Sequence, residues 1–140
     1  MLKKTIKFTD FDGLAREEDH YFNLTKAELT EWEASVEGGL IQMIQKLSQK
    51  QDTTKLFPMF KELILKSYGE KSPDGRRFIK SAALSREFEE TLAYDELMME
   101  LIGSADATTA FIEGILPQDL VAEMHKQEKK TAKKAVAAAE

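Results

Sequence analysis

Apolar and polar residues alternate in two short stretches near the start of the chain, Thr5-Ile6-Lys7-Phe8-Thr9 and His20-Tyr21-Phe22-Asn23-Leu24. A period of two is what a strand with one covered face requires. Between them Asp12-Gly13 is a turn pair, since glycine reaches positive φ without a Cβ clash. The pattern predicts a β-hairpin within residues 1–24, with its loop around residues 12–18. Two strands alone are marginal in water, so the hairpin must lie on something else.

The period then changes to that of a helix. Thr25-Lys26-Ala27-Glu28 is a capping box, with Leu24 and Leu29 at the staple positions on either side. Leu29, Trp32 and Val36 continue one stripe, and Leu40, Ile41, Ile44 and Leu47 form another beyond Gly38-Gly39. Two glycines in succession cost a helix interior about 1.5–2 kcal/mol against alanines, which predicts a break there. After a polar connector at 49–54, a third helix should hold Phe57, Phe60, Ile64 and Leu65, with Pro58 in its first turn. Residues 69–77, with Pro73 and Gly75, read as a surface turn. The clearest helix is predicted from Arg86 to about Ile102, with Ser85 as N-cap and Gly103 as its stop. Asp106 can cap a short helix through Phe111 and Ile115, and Pro117 ends it.

After Met124 the apolar positions are nearly all alanine, which buries little area. The expectation is a helical tail that extends off the body and frays. The predicted fold class is therefore mainly α, with about five to six helices, an N-terminal β-hairpin and a C-terminal helical tail. Residues 1–117 would form a single α-rich domain, with the hairpin at 1–24, and residues 118–140 the tail.

Composition narrows the function classes. The chain has 140 residues, enough for one domain with a core of its own. It has no cysteine, which excludes disulfides, thiolate metal sites and a cysteine nucleophile. No apolar run is long enough for a membrane span, so no membrane partner is expected. The net charge is −5, and it is uneven: residues 119–140 carry five lysines against four acids, so the acidic excess lies in the body. An acidic body repels phosphate, which argues against nucleic acid as a partner.

Candidate chemistry is sparse. Asp10-Phe11-Asp12-Gly13 is similar to the aspartate motif of haloacid-dehalogenase-type phosphatases. That chemistry needs its carboxylates at the end of a buried parallel strand, however, and Ile6-Lys7-Phe8-Thr9 is amphipathic. An acidic turn explains the residues better. His20 and His125 are read as surface side chains without convergent ligands. Ser72, Ser81 and Ser85 lack a neighbouring base and suit turns and caps. No phosphate-binding glycine pattern is present. The residues predict no catalytic site, no metal and no cofactor.

What remains is binding. Methionine is favoured where a surface must fit several shapes, and Met98 and Met99, being adjacent, cannot both face inward on one helix. The helix carrying them, with a facing wall from Met59 and Phe60, is the predicted partner-binding groove.

Leu65-Lys-Ser-Tyr-Gly-Glu-Lys-Ser-Pro-Asp-Gly-Arg-Arg-Phe-Ile-Lys-Ser81 resembles the tail assembly chaperones of long-tailed, siphovirus-type phages that infect Gram-positive bacteria. So do Asn23 to Leu29, Ala93-Tyr94, Leu97 and Phe111 to Pro117, and the likeness spans residues 4 to 117. The resemblance implies a non-catalytic factor that binds the tape measure protein, keeps it soluble, and helps tail tube subunits assemble around it. It further implies a short form, with a longer product of programmed frameshifting that recruits the tail tube protein. Host cytoplasm is the implied location, with no copy left in the mature virion, and self-association is compatible with such a role. The alternative is a non-catalytic structural tail component or another phage or prophage interaction module.

Overall fold

Strand β1 (Leu2–Thr9) and strand β2 (Ala15–Phe22) pair antiparallel along their whole length, from Leu2 opposite Phe22 to Thr9 opposite Ala15. The computed structural model describes residues 1–35 and 56–123. The loop is tighter than the pattern suggested. It is closed by the Gly13 amide donating to the Asp10 carbonyl and by the Asp10 amide donating to the Leu14 carbonyl, with Gly13 at φ 82°. This is a three-residue hairpin loop that needs a left-handed residue, and glycine supplies it.

Helix α1 (Lys26–Ser35) starts at the capping box. Thr25 Oγ1 accepts from the Glu28 amide at 3.2 Å, and Glu28 Oε1 accepts from the Thr25 amide at 3.0 Å. Leu24 and Leu29 are both buried beside it, as a staple requires. Trp32 is buried as well, and the Lys66 ammonium stands 4.7 Å from the centre of its ring. Helix α2 (Phe57–Ser67) admits Pro58 in its first turn, where no amide is needed.

Two further strands overturn the mainly α expectation. β3 (Tyr68–Lys71) and β4 (Phe78–Ile79) frame the segment that reads as a surface turn at 69–77. They extend the hairpin into one four-stranded antiparallel sheet in the order β1-β2-β3-β4, so the fold is an α/β mix. β2 supplies the cause. Its far edge is free to pair, and Tyr21 and Phe22 take Gly69 and Tyr68 as partners. Six residues remain for the connection, where Ser72 Oγ donates to Asp74 Oδ1 and accepts from the Arg77 amide.

The expected helix from Arg86 to Ile102 is also corrected, since it is two. Helix α3 (Ala82–Glu89) begins at Ser81, whose hydroxyl accepts from the Leu84 amide. Helix α4 (Leu92–Gly103) begins afresh at Thr91, which accepts from the Tyr94 amide. Ser85 is not a cap; its hydroxyl donates to the Leu65 carbonyl and ties α3 to α2. Helix α5 (Ala105–Ile115) is capped by Ser104, not Asp106. Residues 118–123 are helical beyond Pro117. The predicted stripe from Leu40 to Leu47 and the alanine-rich part of the tail lie outside the described residues.

Ile6 and Phe22 on the sheet share one core cluster with Phe88, Leu97, Leu101, Phe111 and Ile115 of α3 to α5. Its centre is aromatic. Phe22 lies between Tyr68, Phe88 and Phe111 at centroid distances of 5.7, 5.8 and 5.2 Å, and Tyr68 stacks on Phe88 at 4.3 Å. Such contacts add to the area that the rings bury. The sheet is thereby fixed against the helices on one face, and among the described residues no helix covers the other.

Candidate functional site

The acidic turn is built as a turn. Asp10 Oδ1 accepts from the amides of Asp12 and Leu14, both at 2.9 Å, and Oδ2 accepts from Arg16 Nε at 2.5 Å. The Arg16 hydrogen bond, followed by the Leu14 amide, holds this carboxyl below the usual range. Both oxygens that a nucleophile would use are thus engaged in holding the hairpin end. The turn also displays two large apolar side chains to solvent, Phe11 at 79% exposure and Leu14 at 58%. The alternation pattern missed them, although apolar residues either side of an Asp-Gly turn are themselves the signal.

His20 is not the surface residue that the sequence suggested. Its ring lies 5.0 Å from that of Phe88 and 6.2 Å from that of Tyr68, and among the described residues its Nε2 has no hydrogen-bond partner. Burial pushes its pKa down, against the pull of Glu18 and Asp19. Among the described residues, no group of three or more His, Asp or Glu could hold a metal ion. His125 lies outside them. No described helix is long and apolar enough to cross a membrane.

The residues predicted to form a groove are separated by burial. Met98 is 3% exposed and Phe60 1%, both within the core cluster, whereas Met99 is 60% exposed. Met59 is half-buried and packs on the edge of that cluster. Consecutive residues on a helix point about 100° apart, so burying Met98 turns Met99 outward. It stands on an acidic face of α4, with Asp95, Glu96 and Glu100 also on that helix, and Glu100 is paired to Lys4 at 2.8 Å.

A second surface lies between α2 and α3. This is an open cleft of about 540 Å³ with Pro58, Leu65 and Ala82 among its lining, and the stems of Lys61, Lys66 and Lys80 at its rim. Each lysine already has a carboxylate partner, in Glu89, Glu62 and Glu28 respectively. The cleft can receive apolar side chains of a partner, and the more exposed rim charges can exchange partners at little cost.

A protein-family model described as phage tail assembly chaperone matches residues 1–140, the whole of the chain. Neither the curated proteins nor the solved structures contain a significant match.

Proposed function

The chain belongs to the phage tail assembly chaperone family, and from that membership we propose that it binds the tape measure protein, keeps it soluble, and helps tail tube subunits assemble around it. The observation that carries this reading is the family match over residues 1–140. In the same reading it is a non-catalytic protein of the host cytoplasm, absent from the mature virion. It is the short form of a pair whose longer, frameshifted product engages the tail tube protein, in a siphovirus-type phage of a Gram-positive host.

The client surface we assign to it is centred on Met99, with Met59 beside the core on α2. A tape measure protein is long and helical, and an amphipathic helix is recognised through apolar anchors at i, i+3, i+4 and i+7. Exposed methionine meets such anchors without demanding one shape. Phe60 and Met98 support that surface from within the core.

Co-expression tests it. The tape measure protein should be found in the soluble fraction, and should copurify, only when this chain is present. Met99→Asp should lower the soluble client while leaving the chaperone's thermal melt unchanged, because a buried contact would then have to desolvate a charge. Client solubility that is independent of the chain would refute the reading. Unchanged solubility with the folded Met99→Asp variant would refute the assigned surface alone.

A further inference from the structure

Among the described residues, the outer edge of β1 is an unpaired strand edge with a definite chemical preference. β1 ends the sheet, and among the described residues no strand lies beyond it. Which of its groups face outward is set by the loop. The Asp10 amide donates to the Leu14 carbonyl, so counting back in twos makes Phe8–Arg16, Ile6–Glu18 and Lys4–His20 the hydrogen-bonded pairs. Lys3, Thr5, Lys7 and Thr9 therefore turn their amides and carbonyls away from β2. These residues also point their side chains to the solvent face of the sheet, since the helices cover the other. The edge carries no proline and no bulge, the usual devices that stop strand addition.

The charges decide what can pair there. On the β2 side the molecule already shows the complement: Asp19 accepts from Thr5 Oγ1 at 2.6 Å and stands 3.7 Å from the Lys3 ammonium, and Glu17 lies opposite Lys7. A second copy of β1 is disfavoured, because antiparallel pairing centred on Thr5 sets Lys3 against Lys7 at both ends, and like charges across strands repel. The chain after Met124 is disfavoured for the same reason, with five lysines and two glutamates.

We propose that the free edge of β1 is a docking site for an extended acidic segment of a partner protein, added as a fifth antiparallel strand. Its carboxylates would stand opposite Lys3 and Lys7, and its main chain would bond to the outward groups of Lys3, Thr5 and Lys7. Main-chain bonds give such an addition its affinity, and alternate side chains give it specificity. This proposal does not depend on the tape measure reading.

The probe is a fluorescein-labelled, end-blocked eight-residue peptide alternating glutamate and valine, with a lysine–valine peptide as its control. Fluorescence anisotropy should show saturable binding of the acidic peptide only, weakened about tenfold by Lys3→Glu with Lys7→Glu. Amide hydrogen exchange at Lys3, Thr5 and Lys7 should slow on binding, while that at Lys4, Ile6 and Phe8 stays as it was. A second variant, Thr5→Pro, removes an outward amide without touching the ladder to β2, and it should abolish binding with the fold intact. Three results would overturn the proposal: no saturable binding, equal binding of the two peptides, or binding that leaves the outward amides unprotected. Protection that rises with protein concentration alone would overturn it too, by assigning the edge to a second copy.

Discussion

Replacing Gly69 with alanine tests the account of the sheet most directly. An added Cβ would lie 2.6 Å from Phe78 Cε1 and 2.7 Å from the Ile79 carbonyl oxygen, both shorter than such contacts allow. The ring could turn aside, but the carbonyl belongs to β4 and moves only with the strand. Overpacking of this kind costs about 1–3 kcal/mol. Against it stands the entropy that glycine loses on folding, which alanine would spare, worth about 0.5–1 kcal/mol. The clash wins, leaving a net loss of about 1–2 kcal/mol. In a domain of this size that lowers the melting temperature by about 3–10 °C. The assay is a thermal melt followed by circular dichroism, with Phe78→Leu and the double variant beside it. Relief of part of the clash by the smaller side chain should make the double variant less unstable than the sum of the singles. A melting temperature for Gly69→Ala equal to or above that of the parent would refute the reasoning, as would strict additivity with Phe78→Leu.

Alanine at the two adjacent methionines should separate them. Met98→Ala should lose about 2–5 kcal/mol in a denaturant titration, and Met99→Ala under about 0.5 kcal/mol, because only the first leaves a hole in the core. For His20, burial lowers the folded-state pKa below its ordinary value of 6.5, so the unfolded chain takes up the proton first. The neutral ring's stability is present above that value and is lost as pH falls through the folded-state pKa. His20→Phe should therefore lose less melting temperature than the parent between pH 7 and pH 5, and parallel losses would refute this.

Much of the fold was legible where local chemistry determines local structure. The capping box at Thr25, the staple of Leu24 and Leu29, Pro58 in a first turn and the alternation of the first strand all reappear in place, whereas the second strand starts at Ala15, inside the expected loop. Strands β3 and β4 were not legible, because four residues and two residues are too short to show a period. They exist because β2 offers an edge and Gly69 permits close approach, and both are tertiary facts. The break between α3 and α4 was hidden for the opposite reason: Phe88 and Leu92 keep a helical spacing across it, so only Thr91 marks the new start. At the binding surface, adjacency alone required one of Met98 and Met99 to face outward, and burial identifies Met99. The spacing set Phe60 on one apolar stripe with Phe57 and Ile64, but one helical face carries both core and rim, and burial places Phe60 inside and Phe57 at the surface.

Trp32 is the only tryptophan in the chain, and it sits on α1 against α2 beneath the Lys66 ammonium. The protein therefore carries a built-in optical reporter for one seam alone. Its emission tracks the docking of α1, while ellipticity tracks helices throughout the molecule. If the domain melts as one cooperative unit, the two signals trace the same curve. An emission shift that precedes the loss of ellipticity would reveal α1 as a separate unit, opening before the sheet and the three helices packed on it. The measurement needs no label and no substitution.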